Sequence, residues 1–285
     1  MTTPRQTNAV VVSLTPVGAY HRLVLRAEGI AEHVLPGHFA AVAIGRPGAS
    51  ALLLRRAFSL HRADPVNATI EVVFARRGAG TAELARLRSG DELDVIAPLG
   101  TPFPVPPEPG PAVLVGGGYG VAPLIPLARR LLNAGAPQVA FVCGASSAER
   151  LFGVAEARCL TGRVAITTDD GSAGRRGLVT GPLPELIART EATAVYACGP
   201  MGMLRAVTEV AESHGVRAWT AVEEAMACGV GACMSCVLPV VGDDGVARFV
   251  RACVDGPCFD GTRVRWDEAG TLPAGLEGAE AMGLH

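Results

Sequence analysis

The spacing of its cysteines constrains this chain more than any other feature. Three thiols fall in the stretch ACGVGACMSC, Ala227 to Cys236, and a fourth stands apart, giving Cys228-x4-Cys233-x2-Cys236-x16-Cys253. A C-x4-C-x2-C loop with one remote cysteine is the plant-type [2Fe–2S] spacing: the loop wraps one side of a cluster and a distant strand or turn supplies the last thiolate. Gly229 and Gly231 fit the same logic, because they let the backbone approach closely and turn its N–H groups towards sulfur. A structural zinc site of four cysteines uses two close pairs, whereas here the fourth ligand is alone. Cys258, five residues beyond Cys253, competes as the fourth ligand. Cys253 is favoured, Cys258 is read as a buried or idle thiol, and Cys143 and Cys159 as structural.

Compartment and partners follow from what surrounds the cysteines. The N-terminal MTTPRQTNAVVVSLTP lacks the basic start and apolar core of a secretory signal, and no run approaches about 18 uncharged apolar residues. The expectation is a cytoplasmic chain with no membrane partner, in which clustered cysteines bind metal rather than form disulfides. A net charge of −2 gives no basic footprint for nucleic acid. The arginine pairs Arg55/Arg56, Arg76/Arg77, Arg129/Arg130 and Arg175/Arg176 read mostly as solvated faces.

From about residue 8 to 100, short β-branched runs recur between turn signals (AVVVSL, HRLVLRA, TIEVVFAR, DELDVIAPLG), as in a barrel or sandwich. Pro102 to Pro111 holds six prolines in ten residues and reads as a linker or stiff hinge. Beyond it, strands such as AVLVGGG, QVAFVCGAS and TAVYACG alternate with helical stretches, the pattern of a doubly wound parallel sheet.

An iron–sulfur loop carries single electrons, whereas most soluble reductants offer hydride, so a flavin site is expected between them. Arg56 and Ser59 in RRAFSL supply a guanidinium for a pyrophosphate and a hydroxyl near a ring. Gly80 and Thr81 in RRGAGTAEL open a helical stretch whose N–H groups suit a phosphate. For a nicotinamide dinucleotide, Gly116, Gly117, Gly118 and Gly120 form a strand–turn–helix approach to a pyrophosphate, although Val121 takes the place of the last glycine of G-x-G-x-x-G. Asp169 or Asp170 in TTDDGSAG would hold ribose hydroxyls and favour NAD, a reading blurred by Arg175 and Arg176. Cys198 and Gly199 in YACGPMGML lie at the carboxyl edge of the sheet, where ligands of such folds bind.

Together these stretches resemble the ferredoxin reductase-like flavoproteins, and within them the electron-transfer subunits of type B dihydroorotate dehydrogenase. LLLRRAFSL, GAGTAEL, APLGTPFP, GGGYGVAPL, TDDGSAGRRG, ACGPMGML, EEAMACGVGACMSCVLP and RACVDGPCF carry the resemblance, in the family's order. It implies an α+β multidomain chain: an antiparallel β-barrel FAD domain over residues 1–104, a doubly wound α/β NAD domain over 105–220, a small [2Fe–2S] domain over 221–268 and a flexible tail over 269–285. It matches Arg56, Ala57, Phe58 and Ser59 to the FAD motif, Val73, Phe74 and Ala75 to the next FAD-contacting strand, and Gly80 and Thr81 to the phosphate turn. Cys228, Cys233, Cys236 and Cys253 match the cluster ligands. Three departures stand out: Ala57 replaces the usual proline, Phe58 lacks a hydroxyl, and Cys258 stands where the family has an apolar residue.

The resemblance further implies an FMN-containing dihydroorotate dehydrogenase catalytic subunit as partner, in a hetero-tetramer, with electrons passing through [2Fe–2S] and FAD to NAD+ in pyrimidine biosynthesis. No catalytic residue is expected, and Met226, Met234 and Val230 are candidates for an apolar rim facing the partner. A reductase subunit feeding a ferredoxin, hydrogenase or sulfur-reducing partner is the alternative. A colourless zinc-stabilised binding module is a third reading.

Overall fold

The computed structural model describes residues 3–45 and 52–279. Six strands close the first unit: β1 (Arg5–Val17), β2 (Tyr20–Arg26), β3 (Phe39–Val42), β4 (Arg56–Asp64), β5 (Thr69–Phe74) and, after the short helix α1 (Ala79–Leu84), β6 (Glu92–Leu99). They pair antiparallel in the order β1-β2-β5-β4-β3-β6, and β6 returns to β1 to close a barrel. Period-2 alternation explains the closure. Ala9 and Val11 of β1, Leu23 and Leu25 of β2, and Leu93, Val95 and Ala97 of β6 point inwards and pack as one core with Ile70 and Val72 of β5. Closure leaves no free edge on this sheet.

The second unit is built from β7 (Ala112–Gly117), α2 (Leu124–Asn133), β8 (Val139–Ala145), α3 (Val154–Leu160), β9 (Val164–Thr168), β10 (Arg175–Arg176), α4 (Leu183–Thr190), β11 (Ala194–Cys198), α5 (Met201–Ser213) and β12 (Arg217–Ala221). These strands pair parallel in the order β10-β9-β8-β7-β11-β12. β7 is apolar on both faces because both are covered. Its Ala112 and Leu114 pack with Leu124, Leu127 and Leu131 of α2, whereas Val113 and Val115 pack with Leu183 of α4 and Leu204 and Val207 of α5. The stretch SAERLFGVAEAR does not form one helix. Gly153 takes a left-handed φ of 69°, so a 3-10 turn at Ala148–Arg150 precedes α3.

The cysteine segment adds a hairpin, β13 (Val237–Val241) and β14 (Ala247–Arg251), which turns at Asp244-Gly245. It then sends β15 (Cys258–Asp260) to the far edge of the parallel sheet, antiparallel to β12. Beyond residue 268, Glu277 pairs with Arg248, and the backbone N–H of Phe249 donates to the Glu277 carbonyl. The expected tail beyond Ala279 lies outside the described residues.

Two contacts fix barrel and sheet against each other. Phe103, in the proline-rich stretch, is buried edge-on against Tyr196 of β11, whose hydroxyl donates to the Pro104 carbonyl at 3.0 Å. The stretch is thus pinned rather than a free hinge. On the other side, buried His61 of β4 lies 2.9 Å from the Ala122 carbonyl through Nδ1 and 3.4 Å from Glu156 of α3 through Nε2. His61 and the Arg62 guanidinium hold the Glu156 carboxyl below the usual carboxylate range.

Candidate functional site

Where the barrel meets the carboxyl edge of the parallel sheet, a cavity of about 600 Å³ opens. Open α/β sheets bind ligands at this edge. Ala57, Phe58 and Ser59 of β4, Val73, Phe74 and Ala75 at the end of β5, and Thr81 of α1 form the barrel wall. Gly117, Gly118, Gly120, Asp169, Cys198 and Gly199 form the facing wall. Two separate groups of expected residues thereby face one space.

Arg56, Gly80, Gly116 and Asp170 lie outside the lining. The Arg56 guanidinium donates to the Leu54 carbonyl at 2.7 Å and covers Gly80, where an added Cβ would lie 3.0 Å from Arg56 Nε. The chain thus brings Arg56 onto the 78–81 turn. The Thr81 hydroxyl accepts the N–H groups of Arg77 and Gly78, at 2.9 and 3.1 Å, so it shapes its own turn. Gly116 serves packing: an added Cβ would meet the Val121 backbone at 2.9 Å. Close approach at Gly116 thus accommodates the valine that replaces the last fingerprint glycine. Asp170 closes its own turn, accepting from the Ser172 N–H and hydroxyl at 2.9 and 2.6 Å, and these bonds lower its pKa. Asp169 is the carboxylate left facing the cavity.

Sequence reasoning missed a polar bracket in the cavity wall. The Tyr119 hydroxyl donates to Glu223 Oε1 at 3.1 Å. Its ring stands edge-on to Tyr20 and lies beneath the Arg77 guanidinium, 5.4 Å from its centroid. Burial and the Glu223 charge push Tyr119 up to about 12, and the same two causes push the Cys198 thiol to about 12. Cys198 is therefore a neutral thiol and no nucleophile at ordinary pH. The arginine pairs do not share one fate. Arg77 lines the cavity, and Arg55 is ion-paired with Asp94 at 2.5 Å, whereas Arg175 and Arg176 are exposed.

The cysteine loop lies directly behind this cavity. Gly229, at φ 73°, packs on the barrel: an added Cβ would lie 3.3 Å from Ala41 Cβ and 3.6 Å from the Phe39 ring. Phe39 also lines the cavity, as do Glu224 and Met226 just before the loop. The Phe39 ring therefore faces both the loop and the cavity. Burial first, then the neighbouring Cys236 and Cys228, raise the Cys253 thiol, whereas Ser235 and Cys228 lower that of Cys233, whose sulfur lies 3.2 Å from the Ser235 hydroxyl. The N–H groups of Val230 and Ala232 donate to the Cys228 sulfur at 3.4 and 3.3 Å. The Gly231 backbone opposes the rise at Cys253.

Three cysteines from one short loop and a fourth from beyond β14 supply the four thiolates that a [2Fe–2S] cluster takes. Cys258 belongs elsewhere. It is fully buried on β15, and burial together with Cys198 raises its pKa. Its sulfur closes on Gly37, where an added Cβ would lie 2.6 Å away.

Comparison with known proteins follows the same division of the chain. Residues 223–265 match the family described as the iron–sulfur cluster binding domain of dihydroorotate dehydrogenase B, and residues 114–209 match the oxidoreductase NAD-binding domain. The "Dihydroorotate dehydrogenase B (NAD(+)), electron transfer subunit" of Enterococcus faecalis (strain ATCC 700802 / V583) is 36% identical over 86% of this chain and 92% of its own length. The protein of the same name from Listeria monocytogenes serotype 4b (strain F2365) is 37% identical over 89% of this chain and 96% of its own length. A solved structure of an NADH-dependent reduced ferredoxin-NADP oxidoreductase, described in connection with flavin-based electron bifurcation, superposes with a TM-score of 0.81. It is 28% identical and covers 97% of this chain and 96% of its own.

Proposed function

Because this chain belongs to the family of dihydroorotate dehydrogenase B electron-transfer subunits, we infer that it relays electrons between a catalytic partner subunit and NAD+. The observation that carries this reading is the single cavity shared by the barrel wall, the glycine turns and the segment leading to the cysteine loop. When bound, the [2Fe–2S] cluster supplies one-electron transfer, FAD converts between one and two electrons, and NAD+ accepts hydride.

The chain's own contribution is placement. The Arg56 guanidinium on the 78–81 turn suits the flavin pyrophosphate, and Ala57 to Ser59 with Val73 to Ala75 suit its ring. Gly117, Gly118 and Gly120 leave room for a second dinucleotide to approach the turn before α2. Asp169 suits a ribose diol and disfavours a 2′-phosphate. Cys198 and Gly199 lie where the nicotinamide would meet the flavin. Cys228, Cys233, Cys236 and Cys253 suit the cluster. No general acid or base is assigned: hydride transfer itself needs none, and the one proton that FAD would take up on receiving two single electrons would come from solvent.

The partner is an FMN-containing subunit that oxidises dihydroorotate to orotate, in a cytoplasmic hetero-tetramer. No helix among the described residues is long and apolar enough to cross a membrane, which is compatible with this setting. Val230, 45% exposed beside Cys228, supports a docking face next to the cluster. Met226 lines the cavity instead, and Met234 is half-buried.

Arg56→Ala should lower FAD retention about tenfold or more, taking ~1.5–3 kcal/mol for a charge-assisted hydrogen bond. The flavin-to-protein absorbance ratio after gel filtration measures this, and near-normal retention removes Arg56 from the phosphate site. The whole reading is tested by isolating the protein from its native host without oxygen. Co-purification with a flavin subunit and dihydroorotate-dependent reduction of NAD+ support it. Co-purification with a ferredoxin-linked enzyme would give the chain the same relay in another system, and a colourless protein holding one zinc would end both readings.

A further inference from the structure

Arg251, the last residue of β14, sits two residues before Cys253 yet reaches back into the first cysteine loop. Its Nη1 donates to the Gly231 carbonyl at 2.8 Å. The peptide that carries this carbonyl also carries the N–H of Ala232, which donates to the Cys228 sulfur at 3.3 Å. A guanidinium, a peptide and a thiol therefore form one hydrogen-bonded chain. Holding the Gly231 carbonyl therefore orients the Ala232 donor on the Cys228 sulfur. Gly231 has a left-handed φ of 83°. The Val254 side chain packs against it, so that an added Cβ would lie 2.6 Å from Val254 Cγ2.

Building on the cluster assignment above, we propose that Arg251 is a positioning residue that sets the reduction potential of the [2Fe–2S] centre. A cation on a carbonyl polarises its peptide and strengthens the N–H bond at the other end. Hydrogen bonds to ligand sulfur and nearby positive charge stabilise the reduced, more negative cluster and raise its potential. Asp255 tempers this charge: its carboxylate lies 4.0 Å from Arg251 Nε and accepts the Arg251 N–H at 2.8 Å. The guanidinium of Arg251 thus acts on a sulfur it does not touch.

The test is an EPR-monitored redox titration of anaerobically prepared full-length protein. Arg251→Met keeps the aliphatic stem and removes charge and donors. It should lower the potential so that electron sharing with a fixed mediator shifts about tenfold away from the cluster, which is about 59 mV for one electron. Arg251→Lys keeps the charge but loses the fork, and should shift the balance in the same direction by only about threefold. Arg263→Met, which removes an exposed guanidinium paired with Asp243, should leave the potential unmoved. A wild-type potential in Arg251→Met, or an equal shift in Arg263→Met, overturns the proposal. If Arg251→Met assembles no cluster, the Lys variant decides, and an unmoved potential there overturns it. Wild-type protein without a [2Fe–2S] signal would instead sink the underlying assignment, and this role with it.

Discussion

Cys253→Ser protein should be isolated yellow, with its FAD, but without the visible absorbance and EPR signal of a [2Fe–2S] cluster. Cys258→Ser protein should keep both. Both residues are buried, so exposure does not separate them. Their neighbours do. The N–H of Ala252, next to Cys253, donates to the Cys236 carbonyl at 2.9 Å, whereas Cys258 is enclosed on β15 near Cys198. Serine presents a harder oxygen in place of the soft thiolate that iron–sulfur clusters select, so iron per chain should fall to near zero in the first variant. The second loses only a buried sulfur, at an expected ~1–2 kcal/mol. A cluster retained in Cys253→Ser and lost in Cys258→Ser would place the fourth ligand five residues further along and overturn the ligand set proposed above.

Gly120→Ala should be a strongly damaging change of a single methyl group in the nucleotide half. An added Cβ there would lie 2.8 Å from the Cys198 carbonyl carbon and 3.1 Å from Gly199 Cα. Both obstacles are backbone, and β11 is clamped between β7 and β12, so neither side can yield by changing a rotamer. The expected cost is about 3 kcal/mol, the upper part of the usual range for overpacking. That corresponds to a Tm lower by roughly 10 °C if the chain melts as one large unit. NADH-driven reduction should fall as well, because the same turn faces the cavity. Gly162→Ala, where a Cβ meets nothing within 4 Å, is the control and should lie within about 0.5 kcal/mol of the parent. Equal melting of the two variants would show that the turn has more room than the structure gives it.

What the sequence disclosed was local. Four thiols and their glycines are recognisable because ligand spacing is set by the reach of a short loop. The barrel and the parallel sheet are recognisable because the hydrophobic period changes after the prolines. What stayed hidden depends on long-range meetings. Tyr119 and Glu223 are 104 residues apart, and neither residue type marks a site by itself. Arg77 looks like any solvated arginine until Tyr119 arrives beneath it. Asp169 and Asp170 are alike in the sequence and are told apart only by the turn that gives Asp170 to Ser172. Phe103 passes for part of a linker because six prolines surround it. β15 is only three residues long, too short for any periodic signal, and its place is fixed by β12.

That last strand has a consequence for traffic through the molecule. A carrier on a tether can visit one customer and then swing to another. Here the polypeptide that bears the thiols is sewn at its far end into the sheet, and near Gly256 it is stitched to Thr101, where the barrel ends. It has no slack with which to travel. Whatever delivers charge to it must come to its doorstep, and the gap to the next stop inside is set once, when the chain folds.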